Sequence, residues 1–139
     1  MIPVQSSHIK GVSCLIDTDI AIDFLRRRDY ARVLLGYWAG RGLLAISTVT
    51  HFEVYRCMRP GEERATDAFL HGLVSVVVDI PVARRASQIL GGLQAGGVKA
   101  SISDAIIAAT ALQLGAPLLT NNVERYPFSE LKVLRGIMV

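Results

Sequence analysis

Val12-Ser13-Cys14-Leu15-Ile16-Asp17-Thr18-Asp19 is an apolar run that meets two aspartates at its carboxyl end. Apolar residues without alternation suit a strand covered on both faces, as in a parallel α/β sheet. Residues 12–17 therefore read as a first strand, and Asp17 stands where open α/β sheets keep their ligands. Ile20, Ala21, Ile22, Phe24 and Leu25 then continue as a helix from about Asp19 to Arg28 that packs back on the sheet. Arg26-Arg27-Arg28 falls in its expected last turn, where cations complement the negative end of the helix dipole.

Further along the chain, helical patterns alternate with short apolar runs. Tyr30 to Ala39 has helical spacing and stops at Gly40, and Leu43-Leu44-Ala45-Ile46 is a second strand. A helix is expected from His51 to about Arg59, ended by Pro60-Gly61, and another from Glu62 to Leu73. Val74 to Val78 is a β-branched third strand. Pro81 lies near the start of the next helix, whose end Gly91-Gly92 weakens. Ile102 to Leu114 is apolar on nearly every side and is expected to be buried. Pro117 to Thr120 and Leu131 to Leu134 are the last two strands. Strands alternating with helices predict an α/β fold with a parallel sheet.

With 139 residues, 51% of them hydrophobic and 19% charged, the chain is expected to form one packed domain. Residues 12–139 are assigned to it, and residues 1–11, with no signal-peptide hydrophobic region, to a loose N-terminal tail. A net charge of +3 is compatible with a polyanionic partner. Cys14 and Cys57 both sit on apolar stretches and read as buried thiols in a reducing compartment. No apolar run reaches membrane-spanning length, so a cytoplasmic protein without membrane contact is expected. His8, His51 and His71 lack zinc-ligand spacing, and no Gly-x-Gly-x-x-Gly, Walker or Gly-x-Ser-x-Gly motif is present.

Asp17, Glu53 and Asp104 are the acids that carry the functional reading. Each has a structural explanation: Asp17 as a cap between strand and helix, Thr50-x-x-Glu53 and Ser101-x-x-Asp104 as capping boxes. Together they are harder to dismiss. Asp17 and Glu53 follow strands and so reach one edge of the sheet, which Asp104 joins if its helix runs back alongside. Gathered carboxylates repel one another unless a cation sits among them. Mg²⁺, with Mn²⁺ as a substitute, is the natural occupant of an all-oxygen site.

The chain resembles the PIN-domain ribonucleases, specifically the VapC-type toxins of type II toxin–antitoxin pairs. The matching pieces are Leu15-Ile16-Asp17-Thr18, Ile46-Ser47-Thr48-Val49-Thr50-His51-Phe52-Glu53 with Arg56, Ser103-Asp104-Ala105-Ile106-Ile107-Ala108-Ala109-Thr110-Ala111, and Leu118-Leu119-Thr120-Asn121-Asn122-Val123-Glu124-Arg125-Tyr126-Pro127. The likeness spans about residues 12 to 136. It implies a three-layer sandwich with a five-stranded parallel sheet of order 3-2-1-4-5 flanked by helices. It also implies Mg²⁺-dependent endonucleolytic cleavage of RNA, a homodimer, and a cognate small antitoxin.

By this resemblance Asp17 and Asp104 are the main metal ligands, and Glu53 completes the pocket directly or through water. Thr18 and Thr120 support it by hydrogen bonds. Asn122 takes the position of a fourth acid, where its amide can hydrogen-bond the hydrolytic water, and the missing charge favours one ion over two. Arg26, Arg27, Arg28 and Arg56 are candidate contacts to the RNA backbone. Apolar surface around Trp38 and Phe69 is the expected interface. The alternative within the same fold is a catalytically idle module that binds a DNA-binding antitoxin. Asp17-Thr18-Asp19 also resembles the opening of haloacid-dehalogenase-type phosphatases, but Ala21 stands where they carry threonine or valine, and their lysine and Gly-Asp pair are missing.

Overall fold

Alternation along β1 (Val12–Ile16) sorts the chain into layers. Cys14 and Ile16 face one core, Leu15 the other. The same division recurs at Ile46 against Ala45 and at Leu119 against Leu118. These residues belong to a computed structural model that describes residues 9–136; most of the expected N-terminal tail lies outside the described residues. The other strands are β2 (Leu43–Ser47), β3 (Val74–Val76), β4 (Leu118–Thr120) and β5 (Val133–Arg135). They form one sheet in the order β3-β2-β1-β4-β5, with every neighbouring pair parallel, as the sequence reading expects.

The helices are α1 (Thr18–Leu25), α2 (Asp29–Ala39), α3 (Thr48–Cys57), α4 (Glu63–His71), α5 (Ile80–Ala95) and α6 (Ile102–Leu114). The first core joins β1, β2 and β4 to Ile20 and Ala21 of α1, Leu35 of α2, Val54 of α3 and Leu70 of α4. The opposite core is built on Ile107, Ala108 and Ala111 of α6, and α5 packs on the outer side of α6 through Val82, Ala86, Ala105 and Ala109. Small side chains let α6 lie close to both the sheet and α5. The expectation that this helix is buried holds from Ala105 to Ala111, except at Ile106, which is partly buried.

Local boundaries depart from the expectations in instructive places. α1 stops at Leu25 rather than Arg28, and Arg27 adopts a left-handed conformation with φ 60°. The three arginines therefore lie in the break before α2, not in a last helical turn. The break turns Arg26 toward its neighbours: its guanidinium pairs with Glu62 at 2.9 Å and donates to the Cys57 carbonyl at 2.8 Å. Arg28 pairs with Asp23 at 3.1 Å.

α3 begins three residues earlier than expected because Ser47, not Thr50, is its cap, accepting from the Val49 N–H at 3.1 Å. Thr50 is fully buried inside the helix, so Thr50-x-x-Glu53 is not a capping box. α5 runs through Gly91-Gly92 to Ala95, started by Asp79, whose carboxylate accepts from the Val82 N–H at 3.1 Å. Packing along α6 outweighs the weak helix propensity of two glycines. β3 ends at Val76, and β5 starts two residues later than expected. Cys14 is buried, and that burial pushes its thiol up to about 11, whereas Cys57 is exposed, against expectation. Trp38 and Phe69 pack against the first core but stay half-buried, and Phe69 lines an open apolar groove with Phe24, Leu35 and Leu44.

Ala108 is fully buried where α6 faces the sheet, so a larger side chain there has to displace its neighbours. Ala108→Leu is expected to cost about 1–3 kcal/mol, read from the midpoint of a denaturant melt at unchanged m-value.

Candidate active site

The chain runs from β1 outward to β2 and β3, then crosses back to β4 on the other side of β1. The carboxyl ends of β1 and β4 thus form the topological switch point, where such sheets bind ligands. Asp17 sits there. Its backbone N–H donates to the Leu119 carbonyl at 2.9 Å, extending the β1–β4 ladder and fixing the residue over β4. Its side chain caps α1, accepting from the Thr18 N–H at 2.8 Å through Oδ1. Oδ2 accepts from the Thr120 hydroxyl at 2.7 Å and from the Tyr126 hydroxyl at 2.9 Å. Despite these donors, burial, reinforced by the charge of Asp19, raises the Asp17 carboxyl to about 6.

α6 delivers the second acid. Ser101 caps it, its Oγ accepting from the Asp104 N–H at 3.0 Å, so the first half of the expected capping box is present. The Asp104 carboxylate turns toward the site instead of closing the box: the Tyr126 hydroxyl reaches its Oδ1 at 3.4 Å. One hydroxyl therefore stands between Asp17 and Asp104, and burial and both negative charges push its own pKa upward.

Glu53, a turn into α3, accepts from the Thr18 hydroxyl at 2.6 Å, and that hydroxyl also lies 3.2 Å from the Thr50 Oγ1. Glu53, Thr18, Asp17, Tyr126 and Asp104 thus form one hydrogen-bonded chain. Among the described residues no three His, Cys, Asp or Glu side chains are grouped closely enough to hold an ion between them. The donor set nevertheless fits Mg²⁺, which is commonly held by one or two carboxylates with water filling the other positions. Asp17 and Asp104 flank the Tyr126 hydroxyl, and Glu53 is joined to Asp17 only through Thr18.

Asn122 is present at the site, with its amide NH₂ held by Asp19. Its Nδ2 donates to Asp19 Oδ2 at 2.8 Å. Asp19, which sequence reasoning used to start a helix and in the phosphatase-like run Asp17-Thr18-Asp19, also accepts from the Asn121 N–H at 2.9 Å and the Ile20 N–H at 2.8 Å. It ties the first turn of α1 to the loop after β4, and burial raises its carboxyl above the ordinary range. Its signal was the spacing in Asp17-Thr18-Asp19, which puts both acids in one helical start. Tyr126 gave no such signal, because only the turn at Val123–Arg125 folds it back over β4. His51 lies elsewhere, its Nε2 2.7 Å from the Ser75 hydroxyl. Arg26 and Arg28, expected at the RNA backbone, are committed to Glu62 and Asp23.

Asp17 makes a stability prediction with a definite sign. Its folded-state value of about 6 lies above the ordinary 3.8, so the folded protein binds this proton more tightly than the unfolded chain. Stability is then highest below pH 4 with respect to this group and is lost as pH rises through about 6, by on the order of 3 kcal/mol. In EDTA at pH 7, Asp17→Asn is expected to raise Tm, with the gain gone near pH 4. Adding Mg²⁺ is expected to raise the Tm of the wild type and not that of the variant, as differential scanning calorimetry would record.

Residues 14–132 match the family model of the PIN domain. The chain is 35% identical over 114 residues to Ribonuclease VapC19 of Mycobacterium tuberculosis, an alignment covering 81% of this chain and 91% of that protein. Its fold superposes on VapBC2 from Rickettsia felis bound to a DNA fragment, with a TM-score of 0.79 at 20% identity over 89% of this chain and 98% of that one. A toxin–antitoxin complex from Klebsiella pneumoniae gives a TM-score of 0.77 at 26% identity, covering 91% of this chain and 100% of its counterpart. Matched over most of its length by both sequence and fold, this chain belongs to the PIN-domain family.

Proposed function

We propose that this chain is the toxin of a toxin–antitoxin pair and acts as a Mg²⁺-dependent endoribonuclease, with Mn²⁺ able to substitute. The observation that carries this reading is the pairing of Asp17 and Asp104 about the Tyr126 hydroxyl at the switch point of a PIN-domain sheet. The 35% identity to a protein named as a ribonuclease supports it.

Asp17 and Asp104 hold the ion directly, and Glu53 contributes through water from the position the Thr18 hydroxyl gives it. Thr120 keeps Asp17 oriented. Asn122, with its NH₂ donated to Asp19, presents its carbonyl oxygen to the hydrolytic water. A bound divalent cation supplies a more acidic water and neutralises charge developing on the phosphodiester. Water attacks phosphorus, the bond from phosphorus to the 3′ oxygen breaks, and the products carry a 5′-phosphate and a 3′-hydroxyl. One ion suffices in this scheme, because an amide replaces the fourth acid.

The same reading makes residues 12–139 a single PIN domain, working as a cytoplasmic homodimer held in check by a small cognate antitoxin. Among the described residues no helix is long and apolar enough to cross a membrane.

Purified protein incubated with labelled total RNA and Mg²⁺ is expected to yield discrete products that disappear with EDTA and fall by about 10²-fold or more in Asp104→Asn. Intact RNA at high enzyme concentration with Mn²⁺ would instead favour an idle module that only binds its antitoxin. Asp19→Ala is expected to lower Mg²⁺ affinity or activity by about 10–100-fold while leaving the circular dichroism spectrum unchanged, because it frees the loop that carries Asn122.

A further inference from the structure

Asp104 belongs to two places at once. Besides its contact with Tyr126, it lines an open cleft of about 630 Å³ whose other walls are Gln94 at the end of α5, the loop from Gly97 to Ser101, and Arg125. Gly97 permits the turn out of α5 with φ 77°, a conformation that favours glycine. Two cations, Lys99 and Arg125, line this cleft, and Asp104 is the one carboxylate in its wall. Both cations are exposed, and among the described residues neither makes an ion pair. Among the described residues the ion pairs instead engage Arg26, Arg28 and Arg32, on the α1–α2 side.

Arg125 is adjacent in sequence to Tyr126, so the turn that places one side chain between the carboxylates places the next at the cleft. This layout meets an electrostatic need. Asp17, Asp19, Glu53 and Asp104 carry more negative charge than one divalent ion neutralises, so cations beside the acids favour the approach of a polyanionic strand. An arginine and a lysine with no carboxylate partner are available for that task, the guanidinium offering a fork of donors to phosphate oxygens.

We propose that this cleft receives a single-stranded segment of the RNA next to the scissile bond, with Lys99 and Arg125 each holding a backbone phosphate. The inference rests on the endoribonuclease reading and adds the path of the substrate to it. Phosphate contacts position a strand without reading its bases, so the contribution is the same for any sequence.

The test uses full-length protein and a fluorescent single-stranded oligoribonucleotide. Binding is measured on an Asp17→Asn background, which removes cleavage, across a salt titration. Adding Lys99→Ala and Arg125→Ala is expected to weaken binding at least tenfold and to reduce the slope of log K against log salt by about 1.4, or ~0.7 per phosphate released. On the active background the same pair raises KM. Arg64→Ala on α4 changes neither quantity. Both substituted residues are exposed, and a thermal melt confirms that each variant is folded.

An unchanged salt slope, or a slope reduced equally by Arg64→Ala, overturns the proposal. RNA cleavage by the wild type with unaltered KM in the double variant defeats the cleft while leaving the ribonuclease standing. A reduced slope in a protein that cleaves no RNA supports the cleft and defeats the ribonuclease.

Discussion

The hydrogen bond from the Asp17 N–H to the Leu119 carbonyl is the contact on which the site depends. It carries the β1–β4 ladder one residue past the end of β1, so a carboxylate leaves the sheet at the switch point rather than somewhere along a loop. Thr120, the last residue of β4, then donates its hydroxyl to that carboxylate from the neighbouring strand. Two strands far apart in sequence thereby hold one oxygen-rich corner. Nothing at this position tolerates a slip in register, because a shift of one residue would send Asp17 to the opposite face.

Three hydroxyls keep that corner from flying apart. Thr18 donates to Glu53, and Thr120 and Tyr126 to Asp17. Asp17 and Glu53 each receive a hydroxyl proton from a residue on a strand or helix, and Asp19 receives backbone N–H groups. The raised carboxyls of Asp17 and Asp19 record what remains uncompensated. Burial is the main cause of both shifts, so the donors around these two acids offset only part of their desolvation.

The scaffold beneath is arranged to bring Asp104 in. α6 approaches the sheet closely because its inward residues are mainly alanine, and α5 braces it from outside. On the opposite face, the break after Leu25 lets Arg26 tie α1 to the end of α3 and the start of α4. Glu53 and Thr18 ride on two of these three helices, so this tie also bears on the site. Gly136 closes the arrangement near β4: a side chain there would meet Ile20, Leu34 and the Asn121 amide oxygen at 2.7 Å.

Much was legible in the sequence because it was local. The apolar run of β1, the alternation of strands and helices, the buried α6 and the end of β4 all follow from hydrophobic pattern and turn chemistry over a few residues. Asp17 and Asp104 were found because each sits at a helix start beside such a pattern. The persistence of α5 through two glycines and the break after Leu25 were not legible, because contacts with other elements outweigh local propensity there; the start of α3 was misplaced because Ser47 and Thr50 both offer a local cap. The same reason hid Asp19 and Tyr126. Their roles lie in bonds to residues about a hundred positions away, from Asp19 to Asn121 and Asn122 and from Tyr126 to Asp17. Local chemistry determined which elements form and which acids stand at their ends; only the tertiary structure decided which of those acids share a hydroxyl.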